Sequence, residues 1–184
     1  MRKIPIMLIG ITSIFVSLCV CARAQQESYT AIAAAPNSTA SQIRFNVRIT
    51  KWSSDDELKQ YGQILKDQGQ DALVDALKKL DAGRINKVGD TGNQIALAQK
   101  MTSDKGTVIT IVTARVMSTL ELDRKAAHTK YPLGYLMLMV NDKGEGTGRL
   151  ISAAKIKFDQ EAGHFKLDAY GNGFVPVTNV TRNQ

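Results

Sequence analysis

The sequence predicts an α+β domain: an antiparallel β meander of about seven or eight strands with a helical hairpin after the first strand. Three features support this: one strictly alternating strand, two helical segments ended by glycines, and a series of short strand-like segments. The links between those segments are mostly short and turn-like. Links of that length join antiparallel neighbours, because a parallel pair needs a crossover of a dozen or more residues. Whether the sheet stays open and curved or closes into a barrel is left undecided by the sequence.

The first predicted strand begins at Ile43. Apolar side chains occupy every second position to Ile49, and the residues between them are polar or charged. A period of two is typical of a strand with one buried face.

The helical hairpin is predicted between residues 54 and 83. Ser54 followed three residues later by Glu57 forms a capping box, which starts a helix. Gly69 ends that helix, and Gly83 ends a second one over "QDALVDALKKLDAG". Apolar residues recur at helical spacing in both, namely Leu58, Tyr61 and Leu65, then Leu73, Leu77 and Leu80.

Seven further segments read as strands, bounded by turn-like residues. They are "RINKVG", "NQIALAQKM", "GTVITIVTARVM", "GYLMLMV", "GRLISAAKIKF", "HFKLDAY" and "VPVTNV". The strand over 134–140 is apolar on both faces, which predicts a central strand covered by the helix pair. Its methionines keep a second interpretation open, the wall of a ligand cavity.

A glycine-rich stretch, "NDKGEGTGRL" at 141–150, raises the question of a phosphate-binding loop. A dinucleotide loop needs G-x-G-x-x-G before a helix, but Arg149 stands at the third glycine position and a strand pattern follows. The stretch therefore predicts a hairpin turn.

The N-terminal residues 1–24 read as a signal peptide. A basic start precedes an uncharged run from Ile4 to Cys21, and Ala22-Arg23-Ala24 matches a cleavage site. The alternative is an uncleaved anchor, which would make this segment the only contact with a membrane. Residues 25–42 are small and polar and predict a flexible leader, and residues 43–184 predict a single α+β domain.

Composition excludes several kinds of chemistry. Both cysteines, Cys19 and Cys21, lie in the signal segment, so the mature chain holds no disulfide, thiolate metal site or cysteine nucleophile. Three basic residues leave with that segment, which lowers the formal net charge from +7 to +4. The remaining basic residues are scattered and not interleaved with aromatics, so no nucleic-acid partner is expected.

No catalytic motif is recognisable, and we predict no catalytic residue, metal site or cofactor. Neither G-x-S-x-G nor H-E-x-x-H occurs. The irregular stretch 119–133 brings together Asp123, Arg124, His128 and Tyr131, which form the predicted binding site because functional residues concentrate in such loops. A solvated basic loop is the alternative.

Several segments together resemble an uncharacterised family of exported bacterial proteins. They are "FNVRITKWSSDDE", "GQDALVDALKKL", "VNDKGEGTGRLISAAKIKFD" and "VPVTNV". The resemblance implies a periplasmic or secreted location. It implies no activity, cofactor or catalytic residue.

The predicted function is therefore a non-catalytic exported domain that binds a small ligand or an envelope protein. An antiparallel sheet able to curve around a ligand supports this interpretation. One alternative is an extracytoplasmic hydrolase whose acid and base groups meet only in the fold. The other is a structural envelope-associated protein that acts through a sheet edge or an apolar patch.

Overall fold

The computed structural model describes residues 26–34, 42–87, 89–117, 130–171 and 173–183. In this part of the chain there is one helix, α1 (Asp55–Leu77). The strands are β1 (Glu27–Ala34), β2 (Gln42–Ile49), β3 (Gly83–Lys87), β4 (Asn93–Ile95), β5 (Leu97–Ser103), β6 (Gly106–Thr113), β7 (Leu133–Val140), β8 (Glu145–Asp159), β9 (His164–Tyr170) and β10 (Val175–Asn183).

All ten strands belong to one sheet, which is nearly closed and barrel-like. Its order is β4-β3-β2-β1-β10-β8-β7-β6-β5, with β9 paired to β8 alone, and every pair is antiparallel. Strands β4 and β5 stand at opposite ends of this order, yet only Ala96 separates them along the chain. The Ala96 amide donates to the Val112 carbonyl at 2.8 Å, and the Ile95 carbonyl accepts from Ala82 at 2.8 Å. The two ends of the sheet therefore meet at Ala96, and we call this place the seam.

The inner face of the sheet holds the larger of two cores. Alternate residues of most strands contribute fully buried side chains to it, including Phe45, Val47, Ile85, Ile109, Leu136 and Val177. Removing this apolar surface from water is the main force that holds the curved sheet together.

The second core lies between α1 and the outer face of the sheet. Leu73 and Leu77 of α1 join Tyr135 of β7 in this cluster. The long strand β8 leaves the barrel in its second half, where it pairs with β9, and Phe158 meets Phe165 there edge to face at 5.0 Å. The predicted central position of the strand over 134–140 is confirmed, since β7 lies between β6 and β8. The predicted helix pair that would cover it is not present in the described residues, where only α1 packs on this face.

The strand count of about seven or eight was wrong. The eight predicted strands all appear, but Ala96 divides "NQIALAQKM" into β4 and β5, and β1 is additional. Strand β1 lies in the predicted flexible leader, so that prediction does not hold for Glu27–Ala34. Its buried positions include Tyr29, Ala31 and Ala33. Alanine is depleted in strands and packs little surface, so the alternation was not visible in the sequence.

The helical hairpin was also wrong, because the structure has one helix with a kink. The predicted capping box is present: the Ser54 amide donates to Glu57 Oε2 at 3.0 Å, and the Glu57 amide donates to Ser54 Oγ at 3.3 Å. Gly69 leaves the helical conformation, with φ 84° and ψ −173°. Helical residues resume immediately after it, whereas a hairpin needs a loop of about two to five residues.

The glycine-rich stretch forms the predicted hairpin between β7 and β8. Asn141 Oδ1 accepts from the amides of Lys143 and Glu145, at 3.0 Å each, and Gly144 takes a φ of 78°. Gly146 and Gly148 follow in β8. They share the inner face with Leu150, because their β7 partners belong to the inner core.

The predicted signal peptide, residues 1–24, lies outside the described residues. No helix in the part of the chain that the structure describes is long and apolar enough to span a membrane.

A buried carboxylate lies at one end of the barrel. Glu27 is only 7% exposed and accepts from Lys100 Nζ at 2.6 Å and from the Tyr29 hydroxyl at 2.5 Å. Burial alone would raise the pKa of Glu27, but these hydrogen bonds outweigh it and hold the pKa below its ordinary value. Burial and the Glu27 carboxylate raise the pKa of the Tyr29 hydroxyl far above 10, so Tyr29 remains a donor.

The Glu27→Gln variant is expected to be less stable by about 2 kcal/mol at neutral pH, because it leaves Lys100 without its charged partner. A lowered pKa in the folded state stabilises the protein above the unfolded-state pKa of about 4.3, and this stabilisation is lost as pH falls through the folded-state value. The difference between wild type and variant should therefore shrink below about pH 4. Urea unfolding at a series of pH values measures it. A difference that stays constant down to strongly acidic pH would contradict this assignment.

Candidate functional site

A cleft of about 450 Å³ lies at the seam of the sheet. The end of α1 and the residues after it form one wall, β3 and β4 with their turn form a second, and the residues after β6 form a third. We call it the seam cleft; its lining residues are Leu77, Lys78, Leu80, Arg84, Thr91, Gly92, Gln94, Ala96, Ala114 and Arg115.

The floor of the seam cleft is apolar. Leu77 and Ala96 belong to the core between helix and sheet, and Leu80 and Ala114 pack against that core. The cleft therefore ends on a packed hydrocarbon surface, which favours the apolar part of a ligand over water.

Three cationic side chains line the seam cleft: Lys78, Arg84 and Arg115. Lys78 follows the last residue of α1, Arg84 is the second residue of β3, and Arg115 follows β6. Arg115 Nη2 donates to the Gly92 carbonyl at 3.0 Å, which ties this arginine to the opposite wall. The Arg115 carbonyl in turn accepts from the Thr113 hydroxyl at 2.6 Å.

Among the residues that the structure describes, the lining includes no carboxylate to balance these charges. Two aspartates lie outside the lining: Asp75 is 2.7 Å from Lys78 Nζ, and Asp81 is 3.3 Å from Arg84 Nη1. All four side chains are largely exposed, and exposed pairs of this kind contribute only about 0–1 kcal/mol. A ligand anion can therefore compete with them, and the seam cleft is electropositive.

The walls are held in place by direct hydrogen bonds. Gln94 Nε2 donates to the Leu80 carbonyl at 2.5 Å, which fixes the segment after α1 against β4. Gly92 has a φ of 72°, and a Cβ there would lie 2.3 Å from the Ile85 carbonyl oxygen. The turn thus needs glycine for its close approach to β3, and the cleft is preformed.

The cationic side chains of the seam cleft are suited to binding an anion. Guanidinium and ammonium groups recognise carboxylate or phosphate oxygens, and Arg does so through two parallel hydrogen bonds. The lining residues that the structure describes include no histidine, cysteine or carboxylate, three types that often serve as nucleophile or general base. Among the residues that the structure describes, no group of three or more potential ligands could hold a metal ion.

Of the predicted site residues, the structure describes only Tyr131, which does not line the seam cleft. Asp123, Arg124 and His128 lie outside the described residues. Tyr131 is described and partly buried against Val116 and Ala153, with Lys130 Nζ 5.8 Å from its ring centroid.

Sequence reasoning missed all three cationic residues of the seam cleft. They are separated by six and by thirty-one positions, and none of them belongs to a motif that indicates a binding site. Only the position of Arg115 could have indicated the cleft. This residue stands at the start of the long connection between two strands, a few residues before the predicted loop site.

No family model matches this chain, and neither a curated protein nor a solved structure gives a significant match. The resemblance to exported bacterial proteins therefore stays a prediction.

Proposed function

We propose that the protein is a non-catalytic exported domain that binds a small anionic organic molecule in the seam cleft. One observation carries this proposal: three cationic side chains, with no carboxylate among the described lining residues, surround an apolar floor in a cleft of about 450 Å³. Clefts of this size, mostly apolar with a few convergent polar groups, are typical of small-molecule sites.

The apolar floor and the cationic side chains of the cleft together indicate a ligand with an apolar body and an anionic group. Its apolar body lies on Leu77 and Ala96, and its anionic group lies between Arg84 and Arg115. Lys78 adds a flexible point charge at the end of α1, where the helix dipole is negative and a cation is favoured. An alkyl or aryl carboxylate combines both parts in the simplest way.

The predicted export supports a role in ligand binding. The N-terminal pattern of residues 1–24 predicts secretion to the periplasm or beyond, where a binding domain meets solutes or envelope components. Hydrolysis usually relies on a histidine or carboxylate as acid or base at the ligand, and the described lining residues include neither type.

A calorimetric titration of the purified protein with octanoate and with 1-octanol tests the proposal. Both ligands offer the same hydrocarbon, but only octanoate carries a charge. We expect 1:1 binding of octanoate at least about tenfold tighter than that of 1-octanol, because hydrogen bonds to charged groups contribute about 1.5–3 kcal/mol. The advantage should shrink as salt is added. Equal affinity for the two ligands, or no binding of octanoate, would reject the proposed ligand class.

A further inference from the structure

Arg84 lines a second concavity besides the seam cleft. This neighbouring pocket, of about 360 Å³, is lined by Arg48 and Thr50 at the end of β2 and by Asp81, Gly83 and Arg84 at the start of β3. Because Arg84 belongs to both linings, the two concavities adjoin at its side chain. We call the second one the outer pocket.

The outer pocket sets two arginines directly opposite each other. Arg48 and Arg84 are register partners in the antiparallel pair β2–β3. Their chain neighbours Val47, Ile49 and Ile85 are buried in the inner core, so both arginines lie on the outer face of the sheet. Like charges placed directly opposite each other destabilise a strand pair. An anion that bridges both guanidinium groups would relieve this repulsion.

The outer pocket has more positive than negative charge around these two arginines. Arg48 has a neutral partner, since the Gln26 side-chain oxygen, in its hydrogen-bonded orientation, accepts from Nε and Nη2 at 2.8 and 3.0 Å. Asp81 is the one carboxylate among the described lining residues of this pocket, and it pairs with Arg84 at 3.3 Å. Two guanidinium groups therefore face one exposed carboxylate, and Thr50 adds a hydroxyl group.

We propose that the ligand of the seam cleft is a dianion, with its second anionic group bound between Arg48 and Arg84 in the outer pocket. The first anionic group is held by Arg115, and Arg84 contacts both groups from its position between the two concavities. The chemical class is an organic molecule with two carboxylates, or equivalent oxyanions, joined by an apolar linker. This inference rests on the proposed function of the seam cleft.

A ligand series separates this inference from the proposed function. The titrants are octanoate and the α,ω-dicarboxylates from adipate to tetradecanedioate, measured by calorimetry with the full protein. We expect one dicarboxylate length to bind at least about tenfold tighter than octanoate, because only one length lets both carboxylates reach their arginines. The Arg48→Gln variant should lose this advantage and keep the wild-type affinity for octanoate.

Arg44→Gln is the matched control. Arg44 is exposed on the same face of β2 and lines neither concavity, so its removal subtracts the same charge and should leave the dicarboxylate advantage intact. Octanoate binding without any dicarboxylate advantage, or an advantage that survives in Arg48→Gln, would overturn the dianion inference and leave the proposed function standing. Failure of every titrant to bind would overturn both.

Discussion

The Arg115→Gln variant is expected to bind octanoate at least about tenfold more weakly than the wild-type protein. A charge-assisted, bidentate hydrogen bond to a carboxylate is about twice as strong as a neutral one, and its loss corresponds to about 1.5–3 kcal/mol. Arg115 is the cation of the seam cleft that is tied across it, through its bond to the Gly92 carbonyl. Calorimetry at low salt, with both proteins at the same pH, measures the change.

Two further variants show whether the loss is specific. Lys143→Gln removes one positive charge from the exposed β7–β8 turn, away from the seam cleft, and should leave octanoate binding unchanged. Arg115→Lys keeps the charge but loses the planar pair of donors, so its affinity should fall between those of the wild type and Arg115→Gln. Equal losses in Arg115→Gln and Lys143→Gln would mean that only the overall charge of the protein matters.

Gly146→Ala is expected to destabilise the fold by about 3 kcal/mol, the upper end of what one added methyl group costs in a packed interior. A Cβ at this position would lie 1.8 Å from the Met139 carbonyl oxygen and 2.8 Å from its carbon. Both atoms are backbone, so the clash cannot be relieved by a side-chain rotation. Strands β7 and β8 would have to separate at Gly146. Urea unfolding at neutral pH measures the difference.

Gly163→Ala is the control for this effect. Gly163 has a φ of 67° in the β8–β9 turn, and a Cβ there would meet no atom within 4 Å. Its substitution therefore costs only the conformational penalty of an L-residue, about 1 kcal/mol. If the two variants were equally stable, close approach of the strands at Gly146 would not be what requires glycine there.

The sequence predicted correctly those elements that are marked by a pattern within a few neighbouring residues. The alternation after Ile43 gave β2, and Ser54 with Glu57 gave the start of α1. The glycines after Asn141 were assigned to a hairpin because a strand pattern follows them, and this was confirmed. Each of these signals depends on neighbours within a few positions, which is the range at which hydrophobic period and capping act.

The predictions that were wrong concern features that depend on pairing with residues far away in the sequence. Residues Glu27–Ala34 form a strand because they pair with β2 on one side and with β10 on the other. The alanines of this segment give only a weak alternation of apolar and polar residues. Ala96 divides one predicted strand because its amide pairs with Val112 on one side while Ile95 pairs back toward Ala82. Neither pairing can be recognised from the residues near Ala96 in the sequence.

The seam cleft could not be predicted for the same reason. Lys78 and Arg84 lie thirty-seven and thirty-one residues before Arg115, and they meet it only because the ends of the sheet meet at Ala96. The near closure of the sheet at Ala96 brings these residues together, and the sequence left undecided whether the sheet would close.

An NMR titration of the isotope-labelled protein with octanoate, followed residue by residue, shows directly where the anion binds. We expect saturable shifts of the backbone amides around the seam cleft, at Arg84, Gln94, Ala96 and Arg115. Amides of the β7–β8 turn, such as Lys143, should not move. Saturable shifts confined to another face of the sheet, or no shifts at all, would contradict the claim that the seam cleft binds an organic anion.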